Sequence, residues 1–261
     1  MPHKLGQVFL KDKNAISKIL SFADLSDTDT VVEIGCGDGD LSEDLAKSVK
    51  NLIIIELDER CIEVTKERLS DCSNVTYIHE DVLKVDLSEI VSVPVKIVAN
   101  IPYYISAKIV KWIIKYYKQV DFAQLMFQKE FGQKLIAVPS TKAYTSLTVY
   151  SQYFLDISHK YHVAKTCFKP VPKVDSSVLH LSPRQDIEAI EESFFDMVRA
   201  GFHNRRKLFL NTLKKNPYIK FDLKLSEASL FVSNPNVRAE TLSIKELKAL
   251  YQEIKQFIIK S

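Results

Sequence analysis

The chain has 261 residues, 46% of them apolar and 26% charged, with a formal net charge of +3, which suits a globular protein of one large domain and one small one. No uninterrupted apolar run approaches the roughly 18 residues of a membrane span and no signal peptide opens the chain, so membrane and secreted classes are set aside and a cytoplasmic protein is expected. Cys36, Cys61, Cys72 and Cys167 are scattered without a C-x-x-C pair, which argues against a disulfide framework and against a metal site.

Residues 1–13 are too apolar for a free tail. They read either as an ordinary surface segment or as a strap in which Gly6 to Leu10 pack over a site and Lys4, Lys11 and Lys13 face phosphates. A helix is predicted over 14–23, with Ile16, Ile19 and Leu20 on one face. Thr30 to Ile34 is a buried strand running into Gly35-Cys36-Gly37-Asp38-Gly39, and a helix with Leu41, Leu45 and Val49 follows. Strand, glycine turn and helix place backbone N–H groups near a ligand. A dinucleotide fingerprint wants its third glycine where Asp40 stands, and the acidic Asp38 would repel a pyrophosphate. The loop therefore suits a ligand without phosphates better than it suits NAD.

The strand Leu52 to Ile55 ends at Glu56. A carboxylate there either accepts the hydroxyls of a ribose or is a solvated charge ending a strand. A helix over 59–69 leads to the strand Val75 to Ile78, beyond which Asp81 is placed to accept from an adenine amine. The strand Val95 to Ala99 then runs into Asn100-Ile101-Pro102-Tyr103. An amide, two carbonyls around a rigid proline and an aromatic face suit a flat base bearing an exocyclic amine; a turn with Tyr103 in the core is the plainer reading. Gly35, Glu56, Asp81 and Asn100, delivered in order to one sheet edge, make a coherent adenosyl pocket.

A helix over 106–118 carries the apolar stripe Ile109, Trp112, Ile113 and Tyr116 for packing on the sheet. A fifth strand over 122–127, a helix over 143–153 and strands over 155–163 and 177–181 complete the first domain, 1–182. Between the last strands, Pro170 and Pro172 stiffen a loop that is expected to present Phe168 exposed, between Lys169 and Lys173, for base stacking. The same loop also reads as an apolar plug. Pro183 marks the predicted boundary to a helical domain, 183–261, with helices over 188–202, 206–213, 226–231 and 243–259, the last opened by a Ser243/Glu246 capping box. Residues 1–183 hold 22 basic against 23 acidic side chains, and residues 184–261 hold 14 against 10. The excess, densest at Arg205-Arg206-Lys207 and Lys214-Lys215, hints at a polyanion partner.

Several stretches together resemble the ribosomal RNA adenine N6,N6-dimethyltransferases of the KsgA type. They are Gly6 to Leu10, Glu33 to Gly39, Asn100 to Ser106, Gln128-Lys129-Glu130, Phe168 to Ser176, Phe202 to Leu210 and Asn236 to Ser243. The resemblance implies an α/β, Rossmann-like, seven-stranded methyltransferase domain with a small helical C-terminal domain that binds rRNA. It further implies S-adenosylmethionine (SAM) as methyl donor, small-subunit rRNA as partner, no metal, no membrane and a monomer. By matched positions, Val8, Leu10, Gly35, Glu56, Asp81 and Asn100 contact SAM, with Val8 reduced to a backbone contact because the family carries Asn or His there. Asn100, Tyr103 and Phe168 are the expected catalytic and base-holding residues, and Arg205, Arg206 and Lys207 the expected RNA contacts. Cys36 and Asp38 depart from the family pattern. An Erm-type large-subunit enzyme, a non-catalytic RNA-binding assembly factor and an NAD-dependent oxidoreductase are the alternatives.

Overall fold

The computed structural model describes residues 8–259; Lys4, Gly6 and Gln7 of the expected N-terminal strap lie outside the described residues. Nine strands are present there: β1 (Phe9–Leu10), β2 (Thr30–Ile34), β3 (Asn51–Glu56), β4 (Val75–His79), β5 (Val95–Asn100), β6 (Val120–Gln128), β7 (Leu155–Val163), β8 (Phe168–Lys169) and β9 (Ser176–Pro183). Between them run α1 (Lys13–Ser21), α2 (Asp40–Ser48), α3 (Glu59–Arg68), α4 (Leu87–Ile90), α5 (Ser106–Lys115), α6 (Lys129–Leu135) and α7 (Ser146–Phe154). The chain ends in α8 (Glu192–His203), α9 (Phe209–Lys214), α10 (Ser229–Ser233) and α11 (Ile244–Ile254).

Seven strands form one sheet in the order β4-β3-β2-β5-β6-β9-β7. The five from β4 to β6 are parallel, and β9 and β7 add an antiparallel edge. The β-branched runs predicted as buried strands are buried: Val31, Val32, Ile97 and Val98 are wholly inaccessible, as expected of strands covered on both faces. Side-chain caps fix where helices begin. Asp12 accepts from the Ala15 N–H, Asp58 from the Arg60 N–H and Asp86 from the Ser88 N–H. The predicted capping box of Ser243 and Glu246 opens α11. Strand order reverses between β2 and β5, and at such a switch point the carboxyl ends of the strands splay to leave a crevice.

The chain divides into two compact units, one of residues 1–132 and 154–184 and the other of 133–153 and 185–261. The turn to helices falls beside Pro183, yet residues 133–153, predicted within the first domain, pack with the C-terminal helices. Their aromatic side chains explain it. Tyr144 lies 5.7 Å from Phe202, Tyr150 lies 4.9 Å from Phe195, and the Tyr144 hydroxyl donates to the Leu242 carbonyl.

A small second sheet also matters for the site. β1 pairs antiparallel with β8, setting Phe9 opposite Lys169 and Leu10 opposite Phe168.

Candidate active site

The glycine loop after β2 adopts a backbone that side chains resist. Gly35, Gly37 and Gly39 have φ of 80°, 57° and 78°, in the left-handed region glycine enters without strain. At Gly37 a Cβ would lie 2.8 Å from the Phe9 ring, so the close approach of β1 to the loop requires glycine. The Gly35 N–H donates to the Ile55 carbonyl at 2.9 Å, tying the loop to the end of β3.

At the tip of β3, Glu56 is nearly buried. Its Oε1 accepts the N–H groups of Leu57 and Asp58 at 2.7 and 2.8 Å. Its Oε2 has only the Cys36 thiol, at 3.8 Å, and faces Gly35. One oxygen holds the carboxylate in place and the other is left for a ligand. Asp81 repeats the device beyond β4, its Oδ1 accepting the Leu83 N–H at 3.0 Å. At the tip of β5, the Asn100 side-chain amide has no hydrogen-bond partner among the described residues. After it, Ile101 is buried, the Pro102 carbonyl accepts the Ile105 N–H at 3.2 Å, and the Tyr103 hydroxyl shares a 2.7 Å hydrogen bond with Ser176 Oγ. Burial pushes the Tyr103 pKa up, so the ring is held as a neutral phenol.

These tips and β1 enclose a cavity of about 550 Å³, ample for a nucleoside-sized ligand. Val8, Leu10, Gly35, Glu56, Asp81, Asn100 and Tyr103 all line it. Asp38 and Asp40 line it too, and their charge is answered from the strap: Lys11 Nζ lies 2.7 Å from Asp38 and 2.6 Å from Asp40, and Arg68 lies 2.9 Å from Asp40. The atypical Asp38 is thus a partner of β1's neighbour and does not disturb the loop.

Glu33 is a cavity residue that the motifs did not single out. It is wholly buried on β2, lines the cavity, and neither carboxylate oxygen has a hydrogen-bond partner among the described residues. Burial pushes its pKa up to about 8, with the neighbouring Ser42 hydroxyl acting against the rise and the Glu56 charge adding to it. A lone carboxylate in such surroundings is costly. Its signal in the sequence was a charge inside the apolar run Val31-Val32-Glu33-Ile34. Cys36 also lines the cavity, and burial holds its thiol far above the ordinary range; it is a neutral neighbour and no nucleophile.

One predicted placement needs correction, and a second residue, partly exposed as expected, is already ion-paired. Phe168 is not an exposed stacking face: it is wholly buried, packed in the core with Phe9, Leu10, Met126 and Val178. Because β8 pairs with β1, alternation turns Phe168 inward and Lys169 outward, and the side chain the prolines hold in solvent is Val171. Phe168 therefore positions the strand that roofs the cavity. Arg205 is not a free cation. Its guanidinium grips Glu240 at 2.7 and 3.0 Å and donates to the Lys142 carbonyl at 2.7 Å, all within the second unit. Arg206 and Lys207 are exposed in the turn before α9, which begins at Phe209 and not at residue 206. The Lys207 N–H closes that turn on the Asn204 carbonyl.

Among the described residues no group of His, Cys, Asp and Glu could hold a metal ion, and no helix is long and apolar enough to cross a membrane.

Comparison with known proteins is consistent with this geometry. The family model described as "Ribosomal RNA adenine dimethylase" matches residues 2–256. A protein of Staphylococcus carnosus named "Ribosomal RNA small subunit methyltransferase A" is 39% identical over 97% of this chain and 90% of its own. One of the same name from Listeria innocua is 36% identical over the same shares. Among solved structures, a dimethyladenosine transferase from Plasmodium falciparum superposes with a TM-score of 0.79 at 27% identity, covering 95% of this chain and 98% of the other. A 23S rRNA methyltransferase, ErmE, superposes with a TM-score of 0.71 at 26% identity, covering 95% of this chain and 100% of the other.

Proposed function

The chain belongs to the ribosomal RNA adenine dimethylase family, and from that premise we propose that it transfers methyl groups from SAM to the N6 of adenosines in small-subunit rRNA, two to each base. The single observation that carries this reading is the unpartnered Asn100 amide at the β5 tip, opening on a cavity whose other polar groups keep an atom free for an adenosyl ligand.

The residues present fit SAM. Of the acids lining the cavity, Asp38 and Asp40 are paired with Lys11, Glu80 is paired with Lys84 and Glu33 holds its proton at neutral pH, so Glu56 and Asp81 supply the open negative charge, which favours a cationic ligand and opposes a pyrophosphate. This weighs against a dinucleotide. Glu56 Oε2 suits the ribose hydroxyls, Asp81 the adenine amine, and the orphaned Glu33 carboxyl the α-ammonium end, directly or through water. Gly35 leaves room where a side chain would intrude. Leu10 of β1 and Val8 just before it would cover the ligand. SAM supplies an electrophilic methyl on a sulfonium.

The chain's own contribution is positioning. An adenine N6 lone pair is delocalised into the ring and is a poor nucleophile. If Asn100 Oδ1 and the Ile101 carbonyl, which accepts no main-chain bond among the described residues, take the amine hydrogens, the lone pair turns out of the ring plane toward the methyl. Holding the nitrogen in line and bonding the developing charge provide most of the acceleration. The base leaves its RNA stack and is received on the face of Tyr103, whose ring is fixed by Ser176. No strong base is required, because the N6 proton becomes acidic once the nitrogen carries the new methyl.

The first unit is then the catalytic domain, the second the rRNA-binding one, and Arg206 and Lys207 remain its proposed phosphate contacts. The protein acts as a cytoplasmic monomer. Relatives named for the small subunit, at 36–39% identity, favour that substrate over the large-subunit one of ErmE. Incubating isolated small and large subunits with the protein and labelled SAM tests this: label is expected in small-subunit adenosines, and label confined to large subunits would overturn it.

A further inference from the structure

The outer face of α5 carries positive charge at the mouth of the cavity. Its sequence, Ser106 to Lys115, contains no acidic residue, although residues 1–183 as a whole are balanced in charge. Its inner face is consumed by packing, with Ile109, Val110, Trp112, Ile113 and Ile114 all buried. Lys108 and Lys111 stand exposed on the other side, and among the described residues neither has a carboxylate within 4.0 Å. Lys115, one turn further on, is different. It donates to the Tyr116 hydroxyl at 2.6 Å and lies in the field of Asp86. The unanswered charge is therefore concentrated at the end of the helix nearest the cavity, whose mouth Lys108 itself lines.

Tyr104 stands beside it. Between the half-buried Tyr103 and the start of α5, Tyr104 lines the same mouth, is 67% exposed and has no ring or hydrogen-bond partner among the described residues. Lys108 and Lys111, three residues apart, share one face of α5, and Tyr104, in the short 3-10 turn before the helix, lines the same mouth as Lys108. Most exposed lysines are simply solvated. These are distinguished by their place: Lys108 lines the rim of the catalytic cavity next to the exposed Tyr104 ring, and Lys111 follows it on the same helix face.

We propose that this rim is a subsite for the RNA nucleotides next to the target adenosine, with Tyr104 stacking the adjacent base and Lys108 and Lys111 holding the phosphates that follow. The inference rests on the function proposed above. Swinging an adenosine into the cavity removes a stacking partner from its neighbour, and the Tyr104 face replaces it; base–aromatic stacking is tolerant of base identity. Lys108 and Lys111 differ by about 4.5 Å in helical rise, so flexible side chains from one helix face serve successive phosphates. The site places RNA contacts in the catalytic unit itself, apart from the basic turn at Arg206 and Lys207.

The test uses unmethylated small ribosomal subunits as the probe. Lys108→Gln with Lys111→Gln should flatten the slope of log affinity against log salt by about 1.5, as expected for two lost phosphate contacts on unpaired RNA. SAM affinity should be unchanged. The control pair Lys18→Gln with Lys50→Gln removes the same charge elsewhere and should leave the slope parental. Tyr104→Ala should lower kcat/KM for subunits about tenfold, while Tyr104→Phe, which keeps the stacking face, should restore it. A parental slope in the Lys108/Lys111 variant, with SAM binding and methyl transfer intact, overturns the subsite and leaves the function standing. A parental protein that binds SAM but neither binds nor methylates subunits overturns the function, and the subsite with it.

Discussion

At the carboxyl edge of β2 to β5, polar side chains keep an atom in reserve. Glu56 and Asp81 each spend one oxygen on nearby backbone N–H groups and leave the other toward the cavity, and Asn100 spends nothing. Arg205, in the turn before α9, and Phe168, in β8, are spent on the fold. Arg205 is committed to Glu240 and two carbonyls, and Phe168 is wholly buried beneath β1. Both regions carry motif residues of the types that bind nucleotides. The difference is availability: a group that already satisfies its own neighbourhood has nothing left for a ligand, and a group held in place with one valence free is pre-organised for it.

The largest test of that contrast is Phe168→Ala. As a wholly buried aromatic it should cost about 3–5 kcal/mol of stability, measured by denaturant unfolding, with SAM affinity falling because β1 loses its support. If stability is parental and only RNA turnover falls, Phe168 belongs with the ligand-facing group after all. Asn100→Ala should do the opposite. Stability should hold, and the methylation rate should drop by about 10²–10³ in single-turnover assays; an unchanged rate would remove Asn100 from the chemistry.

Smaller effects sharpen the contrast within the cavity. Glu56→Gln keeps the size but loses the charged acceptor and should weaken SAM binding by about 1–3 kcal/mol, read by calorimetry; parental affinity would detach Glu56 from the ribose. Glu33 gives a pH signature. Its pKa of about 8, against an ordinary 4.5, means that the folded protein holds this proton where the unfolded chain has lost it. Stability from this group is therefore full below about pH 4.5 and declines as pH rises toward 8. A cation bound beside the carboxyl favours the ionised form, so at pH 7 SAM binding should release up to about one proton. Calorimetry in buffers of different ionisation enthalpy measures that release, and Glu33→Gln should abolish it. Last, Arg206→Gln with Lys207→Gln should flatten the salt dependence of subunit binding by about 1.5, while Arg205→Gln should show mainly in stability. The reverse pattern would make Arg205 the RNA contact.

What the sequence disclosed follows the same physics. Apolar β-branched runs ended by glycine, glutamate or asparagine define both the strand and the edge to which its last residue is delivered, so Gly35, Glu56, Asp81 and Asn100 were legible together. Phe168 was legible only as one of two readings, stacking face or apolar plug, because the choice depends on β8 pairing with β1, more than 150 residues earlier in the chain. The pairing of Arg205 was not legible, because its partner Glu240 arrives from a distant turn. The helix predicted over 143–153 reads the same wherever it packs, and only the aromatic contacts of Tyr144 and Tyr150 assign it to the second unit. Glu33 was visible as a charge in a buried strand, but the absence of any partner for it is a three-dimensional fact.

The central claim is that the free Asn100 amide and its cavity dimethylate adenosine N6 in small-subunit rRNA. Nucleoside mass mapping of that rRNA, after unmethylated subunits are incubated with SAM and either the parental protein or Asn100→Ala, tests it most directly. Dimethyladenosine is expected with the parental protein and essentially none with the variant. Methyl groups on another base or another adenine atom, or equal dimethylation by both proteins, would contradict it.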